Sequence, residues 1–217
     1  MTARVTKHLC FSFQPTDRVL NEKLYVFPMI ALTPFAVLQS RLHASWTWLL
    51  SSTMKSDLNY SATDCFETFP FPQPDPRTIL PSLEIAGNAV YEARAAYMVE
   101  TEQGLTKTYN ALKDPGCTDA RILELRRLHE AMDRAVLDAY GWTDLEVPPF
   151  CPKTEAEKQA VQAFEDEVID RLYVLNAERA REEERLGAAA KKPVEEKSPK
   201  PRKARAKKSP NDQGDLF

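Results

Sequence analysis

Between Phe66 and Pro81 a proline stands at positions 70, 72, 74, 76 and 81. Each lacks a backbone N–H and holds φ at about −65°, so this stretch sustains neither a helix interior nor a central strand. It divides the chain into two parts that read differently. Before it, Val5 to Phe27 alternates apolar runs (Leu9, Phe11, Phe13, then Leu24 to Phe27) with Pro15-Thr16-Asp17 and Asn21-Glu22-Lys23, which predicts two strands joined by turn material. A helix is predicted next, capped by Thr33, with Pro34 at its first position and Phe35, Leu38, Leu42, Trp46 and Leu49 at helical spacing. Lys55 to Ser61 reads as one short strand.

Beyond the prolines the pattern is helical. Helices are expected over Ser82 to Glu102, Thr106 to Lys113, and Asp119 to Tyr140, the last stopped by Gly141. Thr154-x-x-Glu157 has the form of a capping box, opening a long helix that buries Val161, Phe164, Val168, Leu172 and Leu175. From Gly187 onward Ala, Lys, Pro and Ser dominate with scarcely an apolar side chain, a composition that does not build a core. Nine of the twenty residues from Lys191 to Pro210 are Lys or Arg, although the whole chain carries a net charge of only −3. The expected class is therefore α+β: a small mixed α/β N-terminal part, then a mainly helical C-terminal region, then a disordered basic tail. The divisions fall at 1–75, 76–186 and 187–217.

Several function classes drop out. No run of ~18 apolar residues occurs and Met1 to Cys10 lacks the features of a secretory signal, so no membrane association and a cytoplasmic location are expected. Cys10, Cys65, Cys117 and Cys151 are scattered, with no C-x-x-C pair and no histidine at ligand spacing. They read as reduced thiols, and no metal site is expected.

Three blocks occur in order: Cys65-Phe66-Glu67-Thr68-Phe69-Pro70-Phe71-Pro72, then Gly104-Leu105-Thr106-Lys107-Thr108-Tyr109-Asn110, then Leu128-His129-x-Ala131-Met132-Asp133 running on to Ala139-Tyr140-Gly141-Trp142. Together, over about residues 40 to 142, they resemble the C-terminal region of MmeI-like and related Eco57I-type adenine-specific DNA methyltransferases of restriction–modification and phage-defence systems. The resemblance implies that 1–75 is the C-terminal part of a DNA target-recognition domain and 76–186 a helical C-terminal domain. It implies double-stranded DNA as a partner. It also implies S-adenosylmethionine as the cofactor of a parent enzyme or of a catalytic methyltransferase domain or subunit, rather than of this chain.

Methyl transfer to an exocyclic amine needs a glycine-rich turn for the cofactor and an Asp/Asn/Ser-Pro-Pro-aromatic loop that accepts hydrogen bonds from the flipped base. The six glycines include no pair at G-x-G spacing. Val147-Pro148-Pro149-Phe150 imitates the second motif, but the Val147 side chain accepts nothing, so a structural turn is expected. No catalytic or cofactor-binding residue is assigned, and the chain is expected to be a fragment or subunit that does not methylate alone.

Lys55 and Asp57 are the candidates for base reading. Two residues apart on one strand they would share a face, and Lys donating to guanine O6 or N7 beside Asp accepting from cytosine N4 matches one G·C pair in the major groove. The resemblance adds that such enzymes place a charged pair here, ahead of Tyr60-Ser61. The alternative is a solvated pair in a turn. Arg41, His43 and Arg77 are candidates for phosphate contact, though Arg41 and His43 read more simply as the polar face of their helix. His129 reads as a packed core histidine. In the tail, Lys200, Arg202, Lys203, Arg205, Lys207 and Lys208 offer phosphate contacts through counterion release, or simply a solubilising extension. Gln213, Asp215, Leu216 and Phe217 resemble the short peptide by which bacterial proteins bind the replicative sliding clamp, with Leu and Phe as apolar anchors. A second reading follows from that tail: a helical adaptor that recruits a partner to DNA through the clamp.

Overall fold

The computed structural model describes residues 1–54, 57–185 and 187. Its N-terminal part holds β1 (Thr2–Ala3), β2 (Val5–Thr6), β3 (Leu24–Tyr25), α1 (Leu32–Gln39), α2 (Arg41–Leu50), β4 (Ser52–Met54) and β5 (Asp57–Asn59), followed by a π-helical turn, Ala62–Phe66. β1 pairs antiparallel with β3, and β2 pairs antiparallel with β5, which also carries β4. The first six residues thus join two sheets too small to stand alone.

The two strands expected between Val5 and Phe27 survive only as these fragments. Leu9 and Phe11 are buried, but the backbone of Phe11 is satisfied by side chains instead of a strand partner: its N–H donates to Gln39 Oε1 at 2.9 Å, and its carbonyl accepts from Arg94 Nη2 at 2.8 Å. Likewise, the Thr2 hydroxyl donates to the Cys10 carbonyl at 2.8 Å.

The helix expected from Thr33 to Leu49 is two helices. Ser40 sits between them with extended backbone (φ −69°, ψ 159°), and its hydroxyl accepts from the His43 N–H to cap α2. Thr33 is not a cap. Ala31 holds that position, and Glu84, from the helix that begins at Pro81, reaches over to accept from both the amide and the hydroxyl of Thr33. A carboxylate from a distant helix therefore satisfies one of the backbone N–H groups left free at the start of α1, which suits the positive end of its dipole.

The C-terminal part follows expectation closely. It consists of α3 (Pro81–Thr101), α4 (Leu105–Lys113), α5 (Ala120–Tyr140) and α6 (Glu155–Arg185). Gly141 ends α5 at φ 76°, a left-handed conformation that favours glycine. The capping box at α6 is reciprocal: Glu157 N–H donates to Thr154 Oγ1 at 3.2 Å and Thr154 N–H to Glu157 Oε2 at 3.0 Å. Phe164, Val168 and Leu172 form the buried stripe of α6, which packs on α2, while α3 packs against both α1 and α5. Gly87 makes the α1–α3 approach possible, since a Cβ there would lie 2.9 Å from the Leu32 carbonyl oxygen. Leu9, Phe11, Leu42, Val90, Leu125 and Leu172 belong to one continuous core, so the parts on either side of the proline stretch share their interior. Among the described residues no helix is long and apolar enough to cross a membrane.

Candidate nucleic-acid interface

β5 is the central strand of its sheet, and its burial alternates: Leu58 and Tyr60 point inward, Asp57 and Asn59 share the other face. Leu58 is fully buried, and Tyr60 packs among Phe11, Tyr25 and Phe27. Asp57 is half-buried at the start of a strand held from behind by this aromatic cluster. Such support fixes where the Asp57 side chain projects.

The strand expected over Lys55 to Ser61 is revised. Met54 is the partner of Asp57, so β4 ends and β5 begins with only positions 55 and 56 between them. Asp57 begins β5, and Lys55, its expected partner in base reading, lies outside the described residues. Asn59, which sequence reasoning passed over, is the residue that shares a face of β5 with Asp57. The period-two burial of Leu58 and Tyr60 was the signal for it.

His43 requires a correction. It is 0% exposed, enclosed by the Phe11, Tyr60 and Phe69 rings, where no phosphate reaches. Its Nδ1 lies 3.0 Å from the Leu38 carbonyl, which only accepts, so Nδ1 carries the proton and Nε2 accepts from the Tyr60 hydroxyl at 3.3 Å. Burial pushes its pKa down to about 4.

Arg41 is corrected too, because its side chain is 12% exposed and its donors are occupied within the protein. Nε donates to Asp133 Oδ2 at 2.6 Å, Nη2 to the Pro148 carbonyl at 2.8 Å and Nη1 to the Pro149 carbonyl at 3.3 Å. The guanidinium also lies over the Phe150 and Phe164 rings. The carbonyls of the Pro-Pro turn thus serve a protein cation. Asp133 accepts a second hydrogen bond from the Arg41 amide at 2.9 Å, and burial pushes its carboxyl pKa up against the opposing pull of Arg41.

Arg77 is 74% exposed and folds back on Asp75, with Nε 3.1 Å from Oδ1. An exposed pair of this kind contributes little to stability and is open to exchange for another anion. The tail residues Lys200, Arg202, Lys203, Arg205, Lys207 and Lys208, and the terminal Gln213, Asp215, Leu216 and Phe217, lie outside the described residues.

The three sequence blocks meet in space. The Tyr140 hydroxyl donates to the Pro70 carbonyl at 2.9 Å, and the Tyr109 hydroxyl accepts from Arg94 at 3.2 Å. His129 packs between Tyr109 and Phe150, with ring centroids 5.9 and 4.7 Å away. It lines a cleft of about 440 Å³ between α2, α4 and α6, its Nε2 has no partner among the described residues, and burial pushes its pKa down to about 3. Arg94 is buried as well, and its hydrogen-bond acceptors, Gln39, Tyr109 and the Phe11 carbonyl, are all neutral. The blocks therefore act as joints between the helices and the N-terminal part.

Residues 1–73 match the family model of the MmeI target recognition domain. The DNA methyltransferase A of Bacillus subtilis (strain 168) is 30% identical over 127 residues, which cover 57% of this chain and 13% of that protein. The solved structure of the type IIL restriction–modification enzyme MmeI in complex with DNA is 23% identical, covering 68% of this chain and 17% of that one, with a TM-score of 0.37. The family resemblance carried by the three blocks is borne out by the target-recognition match and the methyltransferase relative, of whose length the chain spans 13%.

Proposed function

We propose that this chain is the DNA-recognition portion of a site-specific adenine DNA methyltransferase of a restriction–modification or defence system, with methyl transfer carried out by a separate catalytic domain or subunit. The observation that carries the reading is the match of residues 1–73 to the MmeI target recognition domain. In this reading 1–75 completes the recognition domain, 76–186 supports it, and 187–217 adds sequence-independent phosphate contacts. Asp57, backed by Leu58 and Tyr60, accepts from cytosine N4, and Lys55 donates to the paired guanine. Arg77 releases Asp75 for a phosphate. S-adenosylmethionine belongs to the catalytic partner, and the system works in the cytoplasm.

The test exchanges Lys55 and Asp57 for each other within a chimaeric methyltransferase that carries this recognition segment, and maps the methylated site. The expected outcome is a changed base preference at one position, with about 1–3 kcal/mol of discrimination. An unaltered site with full activity would overturn the base-reading assignment. The chain alone, incubated with labelled S-adenosylmethionine and mixed DNA, is expected to incorporate no label, and methylation above a protein-free control would overturn the division of labour.

A further inference from the structure

Lys7 follows β2 at the position that the Thr6–Leu58 pairing places across from Asp57. Its Nζ donates to Asn110 Oδ1 of α4 at 2.8 Å, and His8 Nε2 lies 2.9 Å from the same oxygen. An ammonium group only donates, so the atom facing Lys7 must be the amide oxygen, not the nitrogen. His8 must then donate as well, through Nε2–H. Its lone pair is on Nδ1, a buried atom with no partner among the described residues.

This chain of donors fixes what faces outward. With its oxygen occupied by two donors, exposed Asn110 turns its NH₂ group away from both, and exposed Lys7 keeps its remaining N–H groups for solvent. Lys113 stands one turn further along α4, and the charges of Lys7 and Lys113 both act to lower the His8 pKa, which places the three groups close together. Glu165 lies within electrostatic reach of Lys113, yet neither lysine forms an ion pair among the described residues, whereas Arg121, Arg127 and Arg171 all do. The result is a surface that offers hydrogen-bond donors and positive charge, beside the strand that begins at Asp57.

We infer that Lys7 and Asn110 seat a phosphate of the DNA backbone next to Asp57 and so set the register of β5 on the duplex, an inference that rests on the DNA-reading role proposed above. The ligand chemistry is that of a phosphodiester, whose two free oxygens only accept. The seat is assembled from both sides of the proline stretch, Lys7 from the N-terminal part and Asn110 from α4. This gives the Gly104 to Asn110 block a part in recognition besides its packing.

Asn110→Asp separates this role from a purely structural one. The carboxylate keeps acceptor oxygens for Lys7 and His8, so the fold is held as before, but the outward donors are replaced by negative charge. With the full chain and a short duplex, fluorescence anisotropy across a salt series is expected to show roughly tenfold weaker binding for Asn110→Asp at low salt. The slope of log K against log salt should shrink by about 0.9, as for one lost phosphate contact, while the thermal midpoint stays within a degree or two of the unaltered chain. Lys7→Gln should lose the same contact, and Lys7→Arg should restore most of it. If the unaltered chain binds DNA and both Asn110→Asp and Lys7→Gln match its affinity and slope, the phosphate seat is wrong and the recognition role stands. If the unaltered chain binds no duplex at all, the recognition role falls and the seat with it.

Discussion

In the helices from Pro81 to Arg185 most backbone N–H groups find their acceptor four residues away, and the ends are closed by neighbours such as Thr154, Glu157 and Gly141. In the first seventy-three residues the strands are two or three residues long, and much of the backbone depends on side chains from elsewhere. Phe11 relies on Gln39 and Arg94, and Thr33 relies on Glu84. The difference teaches that the N-terminal part is not self-supporting: its backbone is held in place by side chains from the helices it packs against.

Removing the strongest joint between the two parts should break this arrangement most. Asp133→Ala leaves the Arg41 guanidinium without its carboxylate at a site where Asp133 is 1% exposed, a situation that costs about 3–5 kcal/mol. Urea denaturation is expected to show that loss as a single transition for both parts. Two separate transitions in the unaltered chain, with only the first displaced, would mean that the helices do not hold the N-terminal part.

A smaller effect tests the same coupling by pH. His43 lies in the N-terminal part and His129 in α5, with pKa values pushed down to about 4 and about 3 from an ordinary 6.5. The unfolded chain takes up protons below pH 6.5 while the folded chain does not, so stability is complete above that value and falls as pH drops toward 4 and then 3. Each histidine contributes at most about 1.4 kcal/mol per pH unit, or about 2 kcal/mol by pH 5. Thermal denaturation from pH 7.5 to 5 should show the slope of both in one cooperative unfolding, and His129→Gln should remove the His129 share of it. A pH-independent midpoint would remove both histidines from the buried, neutral state.

The smallest effect sharpens the contrast from the helical side. Thr154→Ala deletes a local cap and should cost about 1 kcal/mol, read as a modest drop in midpoint with no change in DNA affinity. A DNA-binding defect as large as that of Asn110→Asp would show that α6 takes part in recognition directly.

The blocks around Pro70, Tyr109 and Asp133 were legible in the sequence as markers of kinship, but their contacts were not. Nothing local indicates that Tyr140 would bond the Pro70 carbonyl, or that Asn110 would hold Lys7 from 103 residues away. Asn59 shows the opposite case, because its face follows from the alternation of Leu58 and Tyr60 and was available to inspection. Arg41 and His43 were misread because a polar residue on a helix ordinarily faces water, and the rings of Phe11, Tyr60 and Phe69 over His43 and the Asp133 carboxylate at Arg41 reverse that expectation.

From sequence alone came the α+β class, the four C-terminal helices with their ends, and the family resemblance. All of these rest on short-range physics: four-residue hydrogen bonds, capping side chains, the missing N–H of proline, or an ordered set of motifs. Tertiary structure decided the break at Ser40, the antiparallel pairing of β5 with both β2 and β4, and the burial of His43. It also decided the pairing of Arg41 with Asp133, 92 residues away, and the hydrogen bond from Lys7 to Asn110. Each of these depends on which distant group arrives to satisfy a charge or a backbone donor, and a buried polar group accepts whichever partner the packing brings to it.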